Sequence, residues 1–267
     1  THSFIYDSHY RKENEERVAE ELDYLGKRYK TKYFTFSDEA ISPNAFDRMS
    51  KAILSQGVEM RALGMLKFES DSIETVELFK NMYKAGFLML FFGLESANDR
   101  ILSIIEKGCD QATEKRVLEN SSLAGIWNHL YLFFGFPTEE KHEAQETIDF
   151  TVQHSELGDG TIHSVGQSVF SLEKDSAIYH DPAKFQINRI LRDPERDMAI
   201  IFDYEIEKGM TKDEVLDVYE NFDKTIESNF PSRKTWNYLS REHFLLYLDH
   251  YGREEILNMT RPLVQST

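Results

Sequence analysis

The chain has 267 residues, with 31 basic against 47 acidic side chains for a net charge of −16, and 40% hydrophobic and 13% aromatic residues; this composition buries a sizeable core, in one large domain or a large and a small one, and is not that of a disordered acidic chain. No stretch approaches the roughly 20 apolar residues of a membrane-spanning helix, and the Lys and Arg residues are scattered among acids, so a membrane span and broad nucleic-acid binding are excluded. The one cysteine, Cys109, can close no internal disulfide and supply no four-thiolate metal site, which points to a reducing, cytoplasmic compartment.

The first helical period is carried by Val18, Leu22, Leu25 and Tyr29, a stripe on a helix from about Glu13 to Tyr29. Lys32 to Ser37 reads as a short buried strand, and Pro43 with Asn44 opens a helix ending near Gly57. A second strand covers Val58 to Met65. Asp71 with Glu74 forms a capping-box pattern for a helix that closes at Gly86, ahead of the strand Phe87 to Leu94. Two helices follow, about Ala97 to Glu106 and Gln111 to Ala124, then a strand from His129 to Phe136 and a helix opened by Thr138, Glu139 and Glu140 that runs to about Gln153. Ile162 to Leu172 is a fifth strand of weaker alternation.

Strand ends near 38, 66, 95 and 137 stand 28, 29 and 42 residues apart. The first two gaps suit one right-handed crossover each, so the sheet is parallel. The predicted fold class is α/β, a partial parallel (β/α) barrel of about five to six units over residues 1–172. An α-helical C-terminal region over 173–267 follows, with helices opening at Thr211 and Ser240. A Rossmann-type open sheet is the runner-up, although no G-x-G-x-x-G follows any strand.

In a parallel barrel the chemistry lies at the carboxyl ends of the strands. Those ends carry Ser37-Asp38-Glu39, Lys67, Glu95-Ser96 and Gly135-Phe136-Pro137. Glu95 ends an unbroken apolar strand, where an unpaired buried carboxylate would cost several kcal/mol, so it faces solvent or a polar ligand. Each residue also has a plainer reading: acids at strand ends cap the next helix, Gly135 to Thr138 is a turn, and Lys107-Gly108 is a helix C-terminus. Cys109 has no base partner in the sequence around it, and the nine His residues show no metal-ligand spacing. Phe34, Phe36, Phe91 and Phe133 either fill the barrel or face a pocket. Trp236, Tyr238, His243, Phe244 and Tyr247 belong to helices that cover the barrel mouth, contact a partner, or form core.

Taken in order, these motifs change the odds. The run from Ala85 to Ile126 (AGFLMLFFGLES…EKGCDQAT…LAGI), followed by YLFFGFPTEE from Tyr131, closely resembles the core of radical S-adenosylmethionine (radical SAM) enzymes. Residues 9–41, from HYRKENEERVAEEL to FTFSDEAI, resemble the section of the subgroup that often carries a cobalamin-binding domain ahead of the barrel. The resemblance implies S-adenosylmethionine and a [4Fe-4S] cluster as cofactors, with cobalamin as a third that the subgroup brings. It implies reductive cleavage of S-adenosylmethionine to a 5'-deoxyadenosyl radical, for hydrogen abstraction or methyl transfer on a small-molecule or peptide substrate, with flavodoxin or ferredoxin as electron donor. The family's CxxxCxxC cluster loop would lie just before Thr1; the expectation is that the chain starts after it, so that no metal ligand lies in these residues and this piece alone is inactive. By position, Ser37, Asp38 and Glu39 match the segment meeting the methionine amino group. Glu95, with Ser96 after it, matches the ribose or methionine contact, and Lys107 a partner of the methionine carboxylate. Lys67 stands where the subgroup often has Arg, and Gly135, Phe136 and Pro137 match the strand end passing the adenine. The family glycine after that proline is Thr138 here. A non-catalytic barrel that keeps the fold as a scaffold, and an unrelated α/β-barrel enzyme, are the competing readings.

Overall fold

The computed structural model describes residues 13–38, 41–69, 75–192, 198–236 and 239–261. Five strands, β1 (Tyr33–Thr35), β2 (Arg61–Leu66), β3 (Phe87–Glu95), β4 (Trp127–Phe134) and β5 (Ser164–Val169), form one sheet in the order β1-β2-β3-β4-β5. Every pairing is parallel. Sequential order in a parallel sheet curls into a half-barrel, and it excludes the doubly wound Rossmann order, in which the chain reverses direction across the sheet.

The helix α1 (Glu15–Tyr29) leads into β1, and the crossovers are the helices α2 (Pro43–Gln56), α3 (Val76–Ala85), α4 (Asp99–Ile104), α5 (Gln111–Leu123) and α6 (Lys141–Gln153). Short polar side chains start them: Asn14 accepts from the Glu16 and Arg17 amides, Ser42 from Ala45, Asn98 from Arg100 and Ile101, and Asp110 from Thr113. The Asp71–Glu74 capping box lies outside the described residues, and Thr75 caps the described helix. The helix expected from Thr138 begins at Lys141, because Thr138 and Glu139 turn away first.

Alternation along the strands separates two cores. Leu90, Phe92 and Leu94 of β3 and Leu130, Leu132 and Phe134 of β4 pack on the convex side with the crossover helices. Leu63, Met89, Phe91 and Trp127 point to the concave side, where α10 (Arg241–Tyr251) and α11 (Arg253–Thr260) cover them through Phe244, Leu248 and Leu257. Phe34 and Phe36 pack against the convex core, so of the four aromatics considered as pocket residues, these two serve the helix layer instead. Asp249, near the end of α10, ties it to the amino ends of β1 and β2 by accepting from Tyr33 Oη (2.8 Å), Lys32 Nζ (2.8 Å) and Arg61 Nε (2.5 Å).

The region after 172 is not helical from its start. Three strands, β6 (Leu172–Glu173), β7 (Ile187–Leu191) and β8 (Ile201–Ile206), form a separate antiparallel sheet in the order β6-β8-β7, with the four-residue α7 (Ala177–His180) between β6 and β7. β8 alternates exposed with half-buried residues, and β7 has one buried, two exposed and two half-buried residues, so no apolar run announced them. The helical part follows as α8 (Lys212–Asn229), α9 (Arg233–Trp236), α10 and α11.

Candidate functional site

The carboxyl end of β3 is irregular. Its register with β4 shifts between Gly93 and Glu95, and Glu95 adopts φ 64, a left-handed conformation that costs a non-glycine residue about 1 kcal/mol or more. The turn redirects the carboxylate, which accepts a hydrogen bond from Lys107 Nζ at 3.1 Å. Lys107 arrives after α4 has ended, held by its own amide donating to Leu102 O and by a left-handed Glu106 (φ 55) before it. Its side chain is 17% exposed and that of Glu95 31%, so Lys107 is not the solvent-facing helix end of the plainer reading. Gly93 sits directly against the pair: a Cβ there would stand 2.5 Å from Glu95 Oε1 and 3.0 Å from Lys107 Nζ. Behind it, burial raises the Glu114 carboxyl well above its ordinary range, with Lys107 lowering it and Glu95 raising it.

The other candidates divide. Ser96 is fully buried, its hydroxyl 3.2 Å from Thr147 Oγ1 and accepting from the Asn98 amide, so it fixes the turn after Glu95. Ser37 and Asp38 are exposed just past β1, at the same edge of the sheet; Glu39 lies outside the described residues. Lys67 is exposed beyond β2, with its amide donating to Ile41 O.

At the end of β4 the protein occupies its own turn. Gly135 has φ 83, and a Cβ there would fall 2.7 Å from Val215 Cγ1 of α8, so glycine is required by packing whether or not a ligand passes. Phe136 is 2% exposed, its ring 5.1 Å from Phe170 and 6.0 Å from Phe185, and Pro137 is also buried. Thr138, where the family pattern has glycine, has φ 79 and keeps that left-handed geometry. Arg100 holds it, donating to Thr138 Oγ1 at 3.1 Å and Thr138 O at 2.8 Å while gripping Glu143 with two bonds of 2.5 Å. Glu139 accepts from the Gly135 amide at 2.6 Å; burial pushes its carboxyl up to about 7 despite the Gly135 and Phe136 amides, which lower it.

The matching family is the radical SAM superfamily, over residues 2–151. The chain belongs to the radical SAM superfamily. An uncharacterized methyltransferase of Pyrococcus horikoshii, PH0819, is 28% identical over 151 residues, which are 55% of this chain and 32% of that protein. Among solved structures, the cobalamin-dependent S-adenosylmethionine radical enzyme OxsB with aqua-cobalamin bound superposes with a TM-score of 0.62 at 14% identity, covering 94% of this chain and 43% of OxsB. The radical S-adenosylmethionine methyltransferase TsrM from Kitasatospora setae, with cobalamin and a [4Fe-4S] cluster bound, gives a TM-score of 0.56 at 13% identity over 94% of this chain and 55% of TsrM. At these identities the likeness is one of fold. The chain spans about a third of the length of its curated relative.

S-adenosylmethionine and a [4Fe-4S] cluster are the cofactors of this superfamily, as the resemblance implied. One cysteine cannot furnish three thiolates, and among the described residues no group of three or more His, Cys, Asp and Glu is placed to hold a metal. These residues therefore do not themselves supply the three thiolates of a family cluster loop. The polar pair does fit S-adenosylmethionine: an ammonium with two donors left over and a carboxylate with one oxygen left over form a neutral pair suited to a zwitterionic amino acid. Among the described residues no helix is long and apolar enough to cross a membrane.

Arg100, Glu143 and Thr147 were missed by sequence reading because each acts across more than 40 residues of chain. Arg241 was missed as well, although a cation in the first turn of a helix, set against the helix dipole, is itself a signal of another task.

Proposed function

We propose that this chain is the S-adenosylmethionine-binding barrel of a cytoplasmic radical SAM enzyme. The observation that carries the reading is the Glu95–Lys107 pair, formed at the carboxyl end of the central strand over a cleared Gly93. When bound at a reduced cluster, S-adenosylmethionine supplies radical chemistry for hydrogen abstraction or methyl transfer.

The chain's own residues bind, orient and exclude water. Lys107 donates its free N–H groups to the cofactor carboxylate, and Glu95 accepts from the ammonium or a ribose hydroxyl. Ser37, Asp38 and Glu39 complete the ammonium side from β1, while Ser96 positions Glu95 through Thr147. Lys67 adds a second cation at the same edge. Gly135, Phe136 and Pro137 serve by forming a rigid wall at the end of β4, braced by Arg100 and Glu143. The pair is neutral as a unit, so closing it over a zwitterion strands no net charge in a partly buried site. A small-molecule or peptide substrate, a flavodoxin- or ferredoxin-type reductant, and cobalamin, which is bound in OxsB and TsrM, belong to the same proposal.

The test joins these residues to three cysteine thiolates in the complete polypeptide, reconstituted anaerobically with iron and sulfide. Reduction should release 5'-deoxyadenosine or S-adenosylhomocysteine from S-adenosylmethionine, and Lys107→Ala should suppress it. A filled cluster with no turnover of S-adenosylmethionine would leave the scaffold reading in its place.

A further inference from the structure

Below the Glu95–Lys107 pair, the concave face holds a cavity of about 670 Å³, bounded by β3, β4, β5 and the C-terminal helices, within the size range of small-molecule sites. Three buried polar atoms in its wall have no partner: His129 Nε2, Tyr131 Oη and Trp236 Nε1. Leaving such atoms unsatisfied costs about 1–3 kcal/mol each, so their convergence on one space points to a ligand.

The chemistry of that ligand follows from the protons. Ser164 Oγ accepts from Trp127 Nε1 at 2.8 Å, and the Ser164 proton has His129 Nδ1, 2.7 Å away, as its acceptor. The imidazole proton then sits on Nε2, beside Gly166 in the cavity wall; the opposite tautomer leaves the Ser164 proton with no acceptor among the described residues. Burial, and then Arg241, lower the His129 pKa to about 3, so the ring is neutral at physiological pH. Trp236 Nε1 can only donate, and the Tyr131 hydroxyl can donate. Arg241 lies over the Phe91 ring at 4.9 Å and the Tyr131 ring at 5.3 Å and makes no ion pair among the described residues. The other charged groups in the wall are engaged: Arg233 binds Asp223 at 2.7 Å, and Glu242 accepts from its own amide and from Ser240 in the first turn of α10. Donors belong to the wall, and among its described residues Arg241 is the cation without an ion pair.

We propose that this cavity binds the carboxylate of an organic acid, received by His129 Nε2–H, Trp236 Nε1–H and Tyr131 Oη–H and paired with Arg241, with the ligand's apolar body against Phe91 and Met89. The proposal rests on the preceding reading, because it names the substrate class of the same barrel. Phe91 lines the cavity four residues before Glu95 on β3, and neither Glu95 nor Lys107 lines it, so an acid anchored here extends toward the cofactor pair instead of overlapping it. The apolar part of the lining, Met89, Phe91 and Phe244, suits an acid with a hydrocarbon body and offers nothing to the oxygens of an inorganic tetrahedral anion.

Calorimetric titration of the chain with a panel of arylalkyl acids headed by 3-phenylpropionate, each against its neutral amide, tests this. The acids should bind at least tenfold more tightly than their amides. Arg241→Gln should remove that preference, and Trp236→Phe should weaken acid binding about threefold or more, both with thermal unfolding unchanged. Inorganic phosphate should not compete. Equal binding of acid and amide across the panel, a preference that survives Arg241→Gln, or displacement by phosphate would overturn the proposal; if one variant fails to fold, the other decides. Glu95→Ala should leave acid binding intact while weakening S-adenosylmethionine. Absence of acid selectivity in the parent protein with S-adenosylmethionine binding weakened by Glu95→Ala thus defeats this inference alone, and acid selectivity with S-adenosylmethionine binding indifferent to Glu95→Ala defeats the cofactor reading alone.

Discussion

Lys107 donates to Glu95 Oε1 at 3.1 Å across a separation of twelve residues, and the contact exists because two left-handed residues, Glu95 and Glu106, turn the chain at either end of the short helix between them. Gly93 leaves the volume that the two side-chain tips occupy. The arrangement is local in its cause and specific in its result.

Gly93→Ala separates site from fold. The new Cβ meets only the ends of two flexible side chains, and Gly93 has no positive φ, so backbone strain is not involved. Stability should change by less than about 1 kcal/mol, while displacement of the pair should weaken S-adenosylmethionine binding about tenfold. Urea unfolding and equilibrium binding on one preparation check this; a large loss of stability with intact affinity would contradict it.

Thr138 holds φ 79 under the grip of Arg100. Thr138→Gly loses one charged hydrogen bond but relieves left-handed strain, whereas Thr138→Ala loses the bond and keeps the strain. The glycine variant should therefore be the more stable of the two by about 1 kcal/mol in denaturant midpoints. Equal midpoints would mean the turn is not strained.

The Glu139 carboxyl, at about 7 in the folded protein against an ordinary 4.5, binds its proton more tightly when folded. Its contribution to stability is therefore present below about pH 4.5 and lost as pH rises through 7. Glu156, also raised to about 7, adds a slope of the same sign, and His129 and His163, both lowered, add the opposite slope as pH falls below 6.5. The measurement is accordingly the melting-temperature difference between Glu139→Gln and the parent protein, which should grow in the variant's favour from pH 5 to 8. A difference independent of pH would contradict the assignment.

Asp249 anchors the concave-side helix. Burial works to raise its carboxyl, but hydrogen bonds from Lys32, Tyr33 and Arg61 overcome this and hold it at about 2. Asp249→Asn removes the ion pair of Arg61 and leaves Lys32 only Glu59 at 3.9 Å, and should destabilise the protein by about 2 kcal/mol near neutral pH. Since a depressed carboxyl stabilises only above its unfolded value, the gap should close as pH falls from 4 toward 2. A loss under about 0.5 kcal/mol at pH 7 would show that α10 is held by packing alone.

Much of this architecture was legible because crossover length and strand-end composition are local properties: 28- and 29-residue spacings imply parallel neighbours, and β3 is an apolar run that ends in a carboxylate. The meeting of Glu95 with Lys107 was legible only through family resemblance, because left-handed residues break the periodicity from which contacts are read. The small antiparallel sheet was not legible, since Ile201 to Ile206 alternates half-buried with exposed residues and pairs with strands of two and five residues. The late start of α6 depends on Arg100, 38 residues before Thr138, which no local pattern reports.

Equilibrium binding of S-adenosylmethionine to the complete, reconstituted protein and to its Glu95→Ala and Lys107→Ala variants, with thermal unfolding of all three, tests the central claim most directly. Each variant should bind more weakly by roughly 1–3 kcal/mol, the range for a hydrogen bond involving a charged group, at nearly unchanged unfolding temperature. Unaltered affinity in both variants, or lost stability with full affinity per folded molecule, would return the pair to a purely structural role.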